Sequence, residues 1–381
     1  MRRVQPKIYF DNASTTALHP EVYETYCNLL KTKFYNSDAL YDASVEIQQM
    51  IEKSRLAIAD TFCVRANEVL FTSGASESNN MAIKGIVFSS QDKKHIITTQ
   101  IEHSSVYKTC KELEEVFGYD VTYLPVDKDG KVSASSVREA LREDTVLVTI
   151  MYVNNEVGSI QPIEAIKEIV KKESHAYFHV DGVQALGKID IDTKNIDCIS
   201  FSAHKIEGLK GSGILIKKRH VPMIPLICGG QQEFGLRGGT SNALVHILFA
   251  KTLRLALDNQ KKYHDLIQSH HDYLLNELNQ IEGICINSPK DSVINIINFS
   301  YPQIPSEVMM NALNSHGVCV SAQSTCASKQ GQPSKVLQAM GFERERANSC
   351  IRISISYHTT LDECKEFIKI LKESCDKYGR V

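Results

Sequence analysis

The residue best placed for covalent chemistry is Lys205, which closes the segment Ser200-Phe201-Ser202-Ala203-His204-Lys205 directly after an apolar run. A lysine amine forms a Schiff base with an aldehyde once its surroundings hold it deprotonated. Ser202 and His204 add a hydroxyl and an imidazole, both suited to a phosphate. Alone, the pattern is weak, because a lysine after a strand is usually a solvated surface charge. Asp181 lies in His179-Val180-Asp181-Gly182-Val183-Gln184, at the end of another apolar run. A carboxylate there suits a protonated ring nitrogen, and Gln184 is within reach of a phenolic oxygen on the same ring. The competing reading of Asp181 is a helix N-cap.

In Thr72-Ser73-Gly74-Ala75-Ser76-Glu77-Ser78-Asn79-Asn80 an expected strand ends, small residues turn and an expected helix begins. The unpaired N–H groups of Ala75 and Ser76 at such a helix start form an anion site, to which the Ser76 hydroxyl adds a bond. Plain helix capping is the alternative. His103 and Asn154 each follow a strand; an isolated histidine there is more often structural than catalytic. Convergence changes the balance, because all five segments would open on one edge of a sheet. Cys326 stands apart from the other ten cysteines, which mostly occupy apolar or periodic contexts that suit small core residues. Its stretch, residues 321–332, is polar, rich in small side chains and without helical or strand period. Such a stretch reads as a loop carrying an exposed thiol, placed where a nucleophile must travel.

Positioning these groups requires strands that end together. Residues 69–72, 95–99, 121–124, 145–150, 176–180, 197–201 and 213–216 read as seven buried strands, with helical patterns such as 79–87 and 163–172 between them. That alternation predicts an α/β fold with a mostly parallel sheet covered by helices on both faces, with ligands gathered beyond the strands' carboxyl ends. A long helix over about 243–281, with a break near Leu257-Asp258-Asn259, leads to strands at 293–299, 318–320 and 350–355 and helices at 308–315 and 361–377. These describe a smaller α+β unit. The expected division is a large domain over 15–257 and a small domain built from 1–14 and 258–381.

The composition suits a globular chain: 381 residues, 43% hydrophobic and 23% charged. A formal net charge of −2 offers no basic field for nucleic acid or anionic lipid, so neither is an expected direct partner. Eleven cysteines, an odd number with no CxxC pair, argue against a disulfide framework or a structural zinc site, and no metal is expected. No stretch approaches the ~18 apolar residues of a membrane span. The expected location is the cytoplasm, with reduced thiols.

Ser202-Ala203-His204-Lys205, Glu102-His103, Asn154-Asn155-Glu156-Val157-Gly158, Asp181-Gly182-Val183-Gln184 and Arg237-Gly238-Gly239-Thr240 resemble the NifS/IscS-type cysteine desulfurases. These are class V, fold-type I pyridoxal-phosphate enzymes, and the resemblance runs from Tyr9-Phe10-Asp11-Asn12-Ala13-Ser14-Thr15-Thr16 to Arg352-Ile353-Ser354. It implies pyridoxal 5′-phosphate tethered by Lys205, which also moves the substrate's α-proton. His103 would stack on the ring and carry a proton, and Asp181 would pair with the ring nitrogen. Gln184 and Asn154 would bond the ring oxygen or the substrate. Ala75, Ser76, Ser202 and His204 would cradle the phosphate, with Thr240 arriving from the neighbouring subunit of a homodimer. Arg352 would clamp the carboxylate of L-cysteine. The Cys326 thiolate would take the sulfur as a persulfide, release L-alanine, and pass the sulfur to an acceptor protein.

The chain departs from the family in three places. Asn36-Ser37-Asp38-Ala39 keeps only part of an early Asn-Pro-Ser-Ser segment, and Gln323 replaces the usual glycine of the cysteine loop. The ending Tyr378-Gly379-Arg380-Val381 lacks the longer tail with which some relatives grip an iron–sulfur scaffold. The expected acceptor is therefore an iron–sulfur scaffold or, by preference, a tRNA-thiolation enzyme. Two rivals remain: a class V aminotransferase or lyase that needs no Cys326, and a non-catalytic sulfur-trafficking scaffold.

Overall fold

The computed structural model describes residues 7–90, 92, 94–322 and 332–379. Its centre is a seven-stranded sheet of β2 (Val69–Thr72), β3 (His95–Thr99), β4 (Asp120–Leu124), β5 (Thr145–Met151), β6 (Tyr177–Asp181), β7 (Cys198–Ser202) and β8 (Gly213–Lys217), in the order β2-β8-β7-β6-β5-β3-β4. Only β8 runs antiparallel to its neighbours. β2 therefore points the same way as β7, and the ends of β2, β3, β5, β6 and β7 share one edge. Every residue of β5 is buried, as expected of a strand covered on both sides.

Alternation along the strands divides the core. Phe71, Ile97, Val148 and Ile199 face one apolar cluster, whereas their predecessors Leu70, Ile96, Leu147 and Cys198 face another. On the second face lie α3 (Ala75–Ser89) and α4 (Ser104–Glu115), through Met81, Ile83, Ile86, Val106 and Leu113. The first face is covered by α2 (Asp42–Thr61), α5 (Ala134–Ala140), α6 (Ile163–Glu173) and the start of α7 (Ala243–Asn279). In α6 the spacing Ile163, Ile166, Ile169, Val170 makes the buried stripe. Neither α2 nor the shorter α1 (Pro20–Thr32) was picked out from the residues.

A separate apolar cluster joins Ile8, Phe10, Ile267, Leu274, Phe299, Ile353 and Phe367. It is built on β10 (Ile296–Ser300), flanked antiparallel by β9 (Cys285–Ile286) and β12 (Cys350–Ser354), with α8 (Ser306–Ser315) and the C-terminal helix Leu361–Tyr378. The N-terminal β1 (Ile8–Tyr9) pairs in parallel with β11 (Val318–Cys319), so the arm does fold against this unit.

Two expectations need correction. Helix α7 runs unbroken through Leu257-Asp258-Asn259. Asp258 faces solvent and meets Arg254 one turn back, and Asn259 donates to the Tyr357 hydroxyl at 3.0 Å, so both polar residues fit the helix. The proposed boundary at 257/258 thus falls inside one helix whose two halves serve two cores. Strand β10 begins at Ile296 rather than 293, because residues 293–296 form a turn closed by the Ile296 N–H on Val293 O at 3.2 Å.

Candidate active site

The strand ends open on a cleft of about 680 Å³, lined as well by Asp11, Ala13, Ser14, Thr15 and Arg352. Lys205 ends a single turn, Ala203–Lys205, that follows β7. Its Nζ donates to the carbonyls of Ala13 and Ser14 at 2.7 and 2.6 Å, so the N-terminal arm orients the amine. Asp181 is the last residue of β6 and is buried. Its Oδ2 accepts from Asn79 Nδ2 at 2.8 Å and its Oδ1 from the Val183 N–H at 3.1 Å. The local turn contact and a site role therefore coexist in one carboxylate. Gln184 donates through Nε2 to Ala13 O at 2.9 Å and accepts from Lys188 Nζ at 3.0 Å. Burial pushes the Lys188 amine down to about 7, with the Lys205 and Arg352 cations adding to the effect.

The opposite end of the cleft is built for an anion. Helix α3 starts at Ala75, after Gly74 at φ +151°, a backbone conformation in the left-handed half that favours glycine. A Cβ on Gly213 would lie only 2.5 Å from Gly74 Cα, so β8 can run beside this turn only without a side chain there. The first-turn N–H groups of a helix have no intrahelical acceptor. Ser76 lines the cleft beside them, and a Cβ on Gly74 would meet the Ser202 hydroxyl at 3.8 Å. His204 also lines the site and contacts Thr15 Oγ1 through Nδ1 at 3.2 Å. Burial, then Lys205 and Lys210, push its imidazole down to about 4, so it is neutral at pH 7.

His103 caps α4, its Nδ1 accepting from the Ser105 N–H at 3.2 Å. Burial holds its ionisation below the usual histidine range; the Asp181 charge opposes that shift and the Lys205 charge assists it. Arg352 is 1% exposed. Its Nη1 donates to Asn155 O at 2.8 Å, and its Nη2 to Asp11 Oδ1 at 2.7 Å and Ser14 Oγ at 3.0 Å. Among the described residues the buried Nε–H has no acceptor, an arrangement that costs about 1–3 kcal/mol unless a bound group uses it.

Lys205, His103, Asp181, Gln184, Ala75, Ser76, Ser202, His204 and Arg352 thus meet at one cleft. Two others do not line it. The Asn154 side chain is wholly buried, donating to Ile101 O at 3.1 Å and accepting from the Glu156 and Val157 N–H groups, so it shapes the loop after β5. Its neighbour Asn155 lines the cleft instead. Thr240 is exposed, in a segment tethered where Arg237 Nε donates to Glu77 of α3 at 2.9 Å. Cys326 and Gln323 lie outside the described residues. Residue reasoning missed Asn79, Ser105 and Asp11 as site residues. Asp11 stood in the opening motif and Asn79 in the stretch read as an anion site, but no local signal gave Asn79 or Ser105 a role of its own.

The profile of the family described as aminotransferase class-V matches residues 8–367. A relative named cysteine desulfurase IscS, from Dictyoglomus turgidum, is 38% identical, over 97% of this chain and 95% of its own. A solved NifS-like protein superposes with a TM-score of 0.91 at 35% identity, covering 97% of this chain and 99% of the other. Another structure, of SspA in complex with cysteine, gives a TM-score of 0.81 at 34% identity, covering 93% and 100%.

Proposed function

The chain belongs to the class-V aminotransferase family, among the cysteine desulfurases of the NifS/IscS type, and on that premise we propose that it removes sulfur from L-cysteine, leaving L-alanine, with pyridoxal 5′-phosphate bound in the cleft. The observation that carries this reading is that an orientable amine, a fixed carboxylate, a helix N-terminus and a buried arginine share that cleft. Pyridoxal phosphate brings an aldehyde for a lysine, a ring that stores an electron pair, and a phosphate. The residues present fit all three: Lys205 for the aldehyde, Asp181 for the ring nitrogen, and Ala75, Ser76, Ser202 and neutral His204 for the phosphate. The Gln184 amide and the loop of Asn154 and Asn155 border the remaining edge.

Each side chain then has a definable task. Arg352 binds the substrate carboxylate, and its Nε–H, which has no acceptor among the described residues, is a donor in reserve. Lys205 carries the α-proton, returned toward its resting place by the Ala13 and Ser14 carbonyls. The Cys326 thiolate attacks the substrate sulfur; an S–S bond forms as the Cβ–S bond breaks, and the electron pair stays with the carbon fragment that becomes alanine. That the similar SspA binds cysteine supports the same substrate here.

Two further parts belong to the proposal. The first is a homodimer, supported by exposed apolar side chains at Phe34, Leu40, Tyr41, Ile227 and Phe234. Gln232 Nε2 donates to Asp38 Oδ2 at 2.6 Å, drawing the two exposed segments together. Thr240 follows the second segment, so a partner copy seated there would reach the neighbouring phosphate. The second is delivery of the persulfide sulfur to an acceptor protein, an iron–sulfur scaffold or a tRNA-thiolation enzyme. Among the described residues no helix is long and apolar enough to cross a membrane; we place the enzyme in the cytoplasm, where thiols stay reduced.

The test is reconstitution. Purified protein given pyridoxal 5′-phosphate should turn yellow and release alanine from L-cysteine, and Lys205→Ala should lose the stable colour and the turnover together. A colourless wild-type protein would end the proposal.

A further inference from the structure

We propose that Ser105 and Asn79 are positioning residues that hold His103 as a neutral imidazole protonated at Nε2, through a hydrogen-bond path that begins at Asp181. The direction of the path follows from which groups can only accept. The Asp181 carboxylate oxygens accept, Oδ2 from the Asn79 Nδ2 2.8 Å away, so the amide turns its nitrogen toward them. The second Nδ2 hydrogen goes to Ser105 Oγ at 2.9 Å. The single Ser105 O–H is then available to His103 Nδ1, 2.8 Å away. The Ser105 backbone N–H, always a donor, reaches the same Nδ1 at 3.2 Å. A ring nitrogen accepting from two donors presents a lone pair, so the ring proton sits on Nε2.

Two observations support that direction. Asn79 Oδ1 is buried with no partner among the described residues. Rotating the amide would bring Oδ1 within reach of the Ser105 hydroxyl but would also set it against the Asp181 carboxylate, which has only acceptors to offer. His103 also occupies the N-cap of α4. A proton on Nδ1 would lose the bond from the Ser105 N–H and turn the Ser105 hydroxyl into an acceptor, and protonation of both ring nitrogens would set a cation against the positive end of the helix. Of the charged groups facing the ring, Asp181 favours the cation and Lys205 opposes it, and burial opposes it further.

The consequence selects a role. His103 offers the cleft a proton on Nε2 from a neutral ring, so its first act is to donate. It serves as a base only after that proton has gone. Asn79 and Ser105 lie on different helices, so the path also ties α3 to α4 beneath the ring site. The chemical role rests on the desulfurase reading; the tautomer does not.

The test uses holoenzyme labelled with 15N in its histidine rings, with the His103 signals identified by their loss in His103→Gln. The expected spectrum near neutral pH has an unprotonated Nδ1 and a protonated Nε2. In Ser105→Ala the single tautomer should give way to a mixture, and the acid limb of the kcat/KM profile should move up by about half a pH unit. Ser105→Thr, which keeps the hydroxyl, should restore both, with melting curves confirming that all variants are folded. A wild-type His103 protonated at Nδ1 would overturn the inference. So would a Ser105→Ala enzyme with unchanged ring signals and pH profile. A wild-type protein that releases no alanine would sink the desulfurase reading while leaving the tautomer result intact.

Discussion

At the scale of single residues, the site divides into groups held in place and groups left ready. The Arg352 fork is engaged by Asp11, Ser14 and the Asn155 carbonyl, which lysine cannot reproduce with one ammonium. Arg352→Lys should therefore raise KM for L-cysteine at least about tenfold, a loss of ~1.4 kcal/mol or more in binding, while the cofactor's visible absorbance persists. Steady-state kinetics beside absorbance spectra would check it. Glu102 shows a different tension. Its Oε1 accepts from Thr99 Oγ1 at 2.7 Å and from the Met151 N–H at 3.0 Å, while Oε2 is buried with no partner among the described residues. Burial lifts its carboxyl to about 8, so the native state keeps a proton that the unfolded chain releases near 4.5. The folded state then binds more protons between those values, and stability falls as pH rises from 4.5 to about 8. Glu102→Gln should flatten that slope in urea melts taken at several pH values; an unchanged slope would count against a protonated Glu102. The same scale shows the limit of residue reading. Asn154 and Asn155 are adjacent and chemically identical, and only the turn after β5 decides that Asn155 lines the cleft.

At the scale of elements, the carboxyl ends of parallel strands do most of the positioning, and this part was legible in the sequence. Apolar runs located all seven strands to within a few residues because all but the edge strand β4 are almost wholly buried. Helices α1 and α2 were not, since they present polar residues to solvent and bury only a narrow stripe such as Ile47, Ile51 and Ile58. The break expected in α7 failed for a related reason: Asp258 and Asn259 are poor helix formers alone, but each finds a partner. The tightest constraint is the approach of Gly213 to Gly74. Gly213→Ala should force the α3 turn away from β8, costing about 1–3 kcal/mol of stability and weakening phosphate binding. Thermal melts with and without pyridoxal 5′-phosphate would separate the two effects. An alanine variant that melts like wild type and binds the cofactor equally well would show that the turn tolerates displacement.

At the scale of the whole molecule, the N-terminal arm links the two cores to the chemistry. Ile8 and Phe10 pack in the smaller core, Ala13 in the larger, and the same stretch supplies Asp11 to Arg352 and the Ala13 and Ser14 carbonyls to Lys205. Motif order in the sequence revealed this joint site, whereas the links through Asn79 and Ser105 appear only when α3 and α4 are packed. The exposed apolar face carries its own prediction. Phe34→Glu combined with Leu40→Glu should shift the protein from dimer to monomer by sedimentation and weaken cofactor binding at least about tenfold. A wild-type protein that sediments as a monomer would remove Thr240 from the phosphate site.

The central claim is that an amine at position 205 and a thiol at position 326 act on one substrate. Intact-protein and peptide mass spectrometry after a pulse of L-cysteine tests it most directly. The account predicts one added sulfur, confined to the peptide bearing Cys326, with one alanine released per sulfur gained. Alanine released without that mass shift, or equal turnover in Cys326→Ala, would contradict it and favour a class V lyase or aminotransferase.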